Sequence, residues 1–205
     1  MTAEAIRIGA GNPGRRGWLA DLNGRYHRNA LRIFLVIVLG HWAEHIAQAY
    51  QIWVLHRPVP KARGVLGEWF PWLIKSEWLH YGYAITMLVF LFLLWPGFVG
   101  RARLFWTIAL VIQFWHHIEH FLLLIQAQSH TYYFHRKVPT SILQIWYPRV
   151  QVHLVYNTIV FIPMAIAMYL HARPPKADRD LPVQCTCAGE PEPELVGAGA
   201  GATGA

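Results

Sequence analysis

Six of the chain's twelve histidines recur at matched spacing, in company that points to metal chemistry. His41-Trp42-Ala43-Glu44-His45 and His116-His117-Ile118-Glu119-His120 both read His-x-x-Glu-His, and each matched member of the second lies 75 positions after its counterpart. Gln51 and Gln126 keep that offset, while His80 with Tyr83 and His153 with Tyr156 are related by 73. Imidazole nitrogens with carboxylate oxygens form a donor set for Fe, Zn, Cu, Mn or Ni. A helix advances about 100° per residue, so His41, Glu44 and His45 fall within roughly 100° of arc, as do His116, Glu119 and His120.

The elements that must position these residues are apolar. Of 205 residues, 55% are hydrophobic and only 14% charged, against roughly 25% charged in soluble domains. A disordered chain is excluded, and an ordinary soluble globule is disfavoured. The formal charge of +7 does not mark a nucleic-acid surface, because the basic residues flank four apolar stretches. Those stretches are Ile33 to Leu55, Trp78 to Trp95, Leu104 to Ala127 and Val150 to Leu170. Each approaches or exceeds the ~20 helical residues that cross a hydrocarbon core of ~30 Å. In lipid a helix satisfies its own backbone, and Trp53, Trp78, Trp95 and Trp146 lie near the ends, where interfacial aromatics belong.

The expected fold is an all-α integral membrane protein, a four-transmembrane-helix bundle built from two tandem helical hairpins. The halves would be related by a pseudo-two-fold axis along the membrane normal. Residues 1–28 form a cytoplasmic N-terminal arm, and 29–172 the transmembrane domain, with spans near 33–55, 76–95, 104–127 and 150–171. Residues 173–205, rich in Pro, Gly, Ala and Glu, are expected to be a disordered cytoplasmic tail. Ala47-Gln48-Ala49 resembles a cleavage site, but the long preceding region and the apolar run through Leu55 argue for a retained helix.

An acid facing lipid near the bilayer centre costs roughly 2.5–3.5 kcal/mol or more, so the His-x-x-Glu-His faces must point inward. The expected metal ligands are His41, Glu44, His45, His80, His116, Glu119, His120 and His153, in one layer nearer the non-cytoplasmic face. Glu44 and Glu119 are the expected catalytic groups; they are the two acids buried within spans. His117, one step off the inward face, is expected to be structural. Tyr83 and Tyr156 serve either as hydrogen-bond partners of the ligands or as core aromatics. His27, His56, His130, His135 and His171 lie in arms, loops or helix ends and are expected to be solvated. The two cysteines, Cys185 and Cys187, make no disulfide framework, though Cys-x-Cys in a tail could hold a soft metal ion.

The function expected is a membrane-embedded transition-metal oxidoreductase, dinuclear and His/Glu-ligated, acting on a small or lipid-soluble substrate. The cofactor would be two ions, Fe or Cu ahead of Zn. One alternative is a transition-metal binding or transport protein, although residues 33–39 and 104–112 offer almost no ligands along a path. The other is electron transfer through haem b between His41 and His116 or His45 and His120. Residues i and i+4 are only about 6 Å apart along a helix, too thin a layer for two haems. Expected partners are the lipid bilayer and either a redox partner or a second copy in a homo-oligomer, with no nucleic acid. The expected location is the plasma (inner) membrane, multi-pass, with both termini cytoplasmic. Eleven Lys and Arg lie on the terminal side of the spans and seven in the other two loops. A reporter fused after Ala205 should therefore be active only in the cytoplasm; activity confined to the far side would reverse the orientation.

Overall fold

A computed structural model describes residues 17–182 together with Cys185 and Cys187. Among the described residues there are helices and no strand. In chain order they are α1 (Trp18–Asn23), α2 (His27–Trp53), α3 (Leu66–Trp69), α4 (Pro71–Lys75), α5 (Trp78–Leu94), α6 (Gly100–Ser129) and α7 (Arg149–Ala172), with short 3-10 turns between some of them. Four helices, α2, α5 with its following turn, α6 and α7, are long and apolar enough to cross a membrane. That is the property of a multi-pass membrane protein. α2 starts inside the segment assigned to the N-terminal arm, and α6 runs beyond its apolar stretch at both ends.

The four long helices form a ring. α6 packs between α5 and α7, and α2 closes the ring against α5 and α7. The two His-x-x-Glu-His helices therefore lie diagonally across the bundle. Each long helix carries a buried stripe at three- and four-residue spacing, as in Ala30, Leu31, Phe34, Val38, His41, His45 and Ala49 of α2. The stripe changes character along its length. Phe34, Leu91, Trp106 and Met164 fill the half nearer the termini, and histidines fill the half nearer the loops. Two buried side chains of α6 fasten it to α5: Trp106 Nε1 donates to the Leu91 carbonyl at 2.8 Å, and Gln113 Nε2 to the Ala84 carbonyl at 3.0 Å.

The outer surface is apolar. Val36, Phe92 and Val111 are 70%, 67% and 62% exposed, and they belong to a continuous coat of aliphatic and aromatic side chains. A surface of that kind is compatible with lipid tails and marks an interaction face in water.

Two helix starts are joined by an ion pair. Glu77, in left-handed conformation at φ 63°, receives Arg149 Nη1 at 2.6 Å on Oε1, while Arg149 Nη2 binds Oε2. This fork-on-fork pairing links the first turn of α7 to the residue before α5.

His27 and His171 correct an expectation: both are buried rather than solvated. α2 and α7 continue past their apolar stretches, and the turn after α5 folds over them. Phe98 packs at ring-centroid distances of 5.4 Å from His27 and 4.7 Å from His171, and the two imidazoles are 5.1 Å apart. The approach requires Gly97, where a Cβ would come within 2.4 Å of the His27 ring. His56, His130 and His135 are exposed, as expected. Asp178 accepts the Arg101 amide at 3.0 Å, placing an anion at the start of α6, where the helix dipole favours one.

The Glu77–Arg149 pair and the exposed Arg57–Glu68 pair (2.7 Å) should differ sharply in importance. Glu77 is buried but the Arg149 side chain is 31% exposed, so removing one member should cost less than the ~3–5 kcal/mol of a fully buried pair and more than the ~0–1 kcal/mol of a surface pair. Glu77→Gln should lower the unfolding midpoint in detergent well below that of Glu68→Gln. Equal midpoints would show that the buried pair contributes little.

Candidate metal centre

The i, i+4 spacing brings the histidines of α2 and α6 into matched pairs. His41 Nε2 and His45 Nε2 lie 3.2 Å apart, and so do His116 Nε2 and His120 Nε2. All four residues are buried. α5 and α7 each contribute one further buried imidazole between the pairs. His153 stands 5.2 Å from His45 and 5.0 Å from His120 between ring centroids, and His80 stands 6.2 Å and 5.9 Å from the same two. His80 and His153 are 5.6 Å apart. The structure thus brings all six histidines into one layer in the loop-side half of the bundle.

Two of these rings are oriented from behind by a hydrogen bond at Nδ1. His45 Nδ1 meets Gln48 Oε1 at 3.2 Å, and His153 Nδ1 donates to the Arg149 carbonyl at 2.7 Å. His80 Nδ1 lies 3.5 Å from both Glu77 Oε2 and the Arg149 Nη2 donor. On His45 and His153 an Nδ1–H that donates in this way leaves Nε2 as the ligand atom, the usual arrangement of metal-binding histidine. On the other rings Nδ1 of His41, His116 and His120 is buried without a protein partner, as is Nε2 of His153. Tyr83 packs on His41 at 4.6 Å and Tyr156 on His116 at 4.3 Å, so the tyrosines border the layer. His117 faces Tyr81 at 5.4 Å, outside the layer.

The two glutamates face the loops. Glu44 accepts Val65 N–H at 2.8 Å and Leu66 N–H at 3.0 Å. Glu119 accepts the Ser141 hydroxyl at 2.5 Å and Leu143 N–H at 3.2 Å. The glutamines seven residues, almost two turns, further along act alike. Gln51 exchanges two hydrogen bonds with the Gly64 backbone, at 3.0 and 3.3 Å, and Gln126 with that of Thr140, at 3.2 and 2.8 Å. Each inward Glu and Gln therefore seats one loop over the histidines. Glu44 also borders a cavity of about 10 Å³ with His41, His45, His80 and Tyr83, the room of roughly one water.

A larger cavity of about 480 Å³ opens from the loop side onto His80 and His153. Arg63, Lys75, Arg136 and Arg149 line it, so it attracts anions. Among the described residues, one group of three His, Cys, Asp or Glu has ligand atoms all within 4.8 Å of one another, and it lies elsewhere: His27, His171 and Cys187. The layer brings its nitrogens together in pairs.

Sequence reasoning missed Gln48, Glu77 and Arg149 as supports of the site. The signal was present, since each lies three or four residues from a histidine and so on its helical face. It missed the loop anchors because periodicity reports a face and says nothing of the group a carboxylate meets.

Gly64, at φ +72°, leaves room that a Cβ would fill 2.3 Å from Glu44 Oε2. Gly64→Ala should speed amide hydrogen exchange at Val65 and Leu66, whereas Gly40→Ala and Gly82→Ala, with nothing within 4 Å, should not. Unchanged exchange in Gly64→Ala would mean that the carboxylate does not hold the loop. No protein-family model, curated protein or solved structure matches the chain.

Proposed function

We propose that the chain is a multi-pass membrane protein whose histidine layer holds one or two transition-metal ions, and that it works as a metal-centred oxidoreductase. The observation that carries this is the pair of 3.2 Å Nε2–Nε2 approaches. An ion about 2.0–2.1 Å from both nitrogens would see them at roughly 100–105°, between tetrahedral and octahedral angles. His80 and His153 supply further imidazole between the pairs. Fe or Cu in such a site supplies one-electron chemistry; Zn fits the same donors without redox activity.

Glu44 and Glu119 belong to the same proposal as ligands or acid–base groups. Held at the edge of the layer by loop N–H groups, they set negative charge beside the ions, which offsets the cost of burying cations. The basic cavity over His80 and His153 favours a small polar or anionic substrate arriving from water over a lipid-soluble one. The apolar half of the bundle, filled by Phe34, Leu91, Trp106 and Met164, argues against a path for metal transport.

The tandem repeat supports one quasi-symmetric site. Both His-x-x-Glu-His helices have the same nitrogen approach, the same glutamate-to-loop tie and the same tyrosine packing, from diagonal positions in the ring. The halves would share an axis along the membrane normal, with residues 29–172 in the plasma (inner) membrane, residues 1–28 and 173–205 as cytoplasmic arm and tail, and both termini cytoplasmic.

Metal content of detergent-purified variants tests the assignment. His45→Ala and His120→Ala should each lose most of the bound Fe or Cu, while His117→Ala, off the layer, should retain it. Full retention in the first two, or a Soret band of haem in the wild type, would refute a non-haem centre built on these pairs.

A further inference from the structure

A second cluster of donors lies at the opposite end of the bundle. His27 at the start of α2, His171 at the end of α7 and Cys187 beyond it present ligand atoms all within 4.8 Å of one another. Cys185 adjoins them: its Sγ lies 3.0 Å from His171 Nε2 and 3.3 Å from the Cys187 amide nitrogen. The Cys187 side chain packs against the hydrophobic core.

Packing alone does not explain this arrangement. His27 is fully buried, and neither of its ring nitrogens has a hydrogen-bond partner. One of the two must carry a proton and the other a lone pair, so ordinary core packing leaves both unsatisfied at a cost. The ring is nonetheless held tightly, between Phe98, His171 and the bare backbone of Gly97. A lone pair fixed beside a second imidazole and two thiols is a ligand in position.

We propose that His27, His171, Cys185 and Cys187 form a structural zinc site that clips the chain after α7 onto the terminal end of the bundle. Two imidazoles and two thiolates are a common donor set for tetrahedral Zn²⁺. In such a tetrahedron, with Zn–N about 2.0–2.1 Å and Zn–S about 2.3 Å, ligand atoms are roughly 3.4–3.8 Å apart. The three mutually close atoms, within 4.8 Å of one another, need to draw together by at most about 1.4 Å, and Cys185 completes the set as the near arm of a Cys-x-Cys chelate. Two thiolates balance the charge of the ion.

The site is independent of the histidine layer. His27 and His41 are separated by 14 residues of α2, about 21 Å of helix, with Phe34 and Val38 buried between them. Its loss and the loss of the layer can be told apart.

Co²⁺, a spectroscopic substitute for Zn²⁺, provides the test. Full-length protein in detergent, stripped by chelator and titrated with Co²⁺, should develop thiolate-to-cobalt charge transfer and tetrahedral ligand-field bands, both abolished by Zn²⁺. Cys187→Ser and Cys185→Ser should each weaken the charge-transfer band and lower Co²⁺ affinity about tenfold or more. His120→Ala, which removes a layer imidazole, should leave the band intact. As a second measurement, Zn²⁺ should block maleimide labelling of both thiols in the wild type and fail to do so in His171→Ala. The proposal is overturned if the wild type gives no thiolate–cobalt band, if the band survives undiminished in Cys187→Ser, or if it disappears in His120→Ala.

Discussion

An imidazole nitrogen removed from water needs a partner, and this bundle buries eight imidazoles that helical geometry cannot satisfy alone. A helix spends its backbone hydrogen bonds on itself, and an apolar neighbour offers none. Every other polar feature of the core follows from that shortage. Gln48 and the Arg149 carbonyl stand behind two of the rings. Glu44, Gln51, Glu119 and Gln126 fold two loops over the layer. Nδ1 of His41, His116 and His120 and Nε2 of His153 remain without a protein partner, while the Nε2 atoms of each pair face one another at 3.2 Å. Shared cations would use the lone pairs that protein groups leave idle, and the ordering of the layer by its surroundings is what such ions require.

The two ends of the bundle meet the same problem with different means. At the loop end the imidazoles are many and approach one another in matched pairs. At the terminal end there are two, drawn together by Phe98 and Gly97 and joined by sulfur from the chain beyond α7. Between them lies a slab of Phe34, Leu91, Trp106 and Met164 with no ligand at all. Polar chemistry is thus confined to both ends of an apolar rod.

Much of this was legible in the sequence because helices convert spacing into direction. Four apolar stretches of spanning length became four long helices, and the repeated His-x-x-Glu-His put both histidine pairs on inward faces. The direction of each glutamate was not legible, since a face is shared by a ligand and by a loop anchor alike. Only the fold shows the Val65 and Leu66 amides over Glu44 and the Ser141 hydroxyl over Glu119. The burial of His27 and His171 was hidden for another reason. It depends on a turn from α5 arriving over the ends of α2 and α7, and on the missing side chain of Gly97, neither of which local periodicity records. Glu77 and Arg149 lie 72 positions apart, and their pairing likewise belongs to tertiary structure.

The apolar slab makes the molecule one-sided. A proton or hydroxide cannot cross packed Phe34, Leu91, Trp106 and Met164 without shedding its hydration, which a low-dielectric interior does not replace. Any proton consumed or released at the histidine layer must therefore be exchanged through the basic cavity above His80 and His153. Acidity on the loop side would govern the layer's protonation and its readiness to bind ions, while acidity at the other face would leave it untouched. In a membrane-spanning bundle with ions at this layer, as proposed above, a difference in pH between two compartments would be read from one side only.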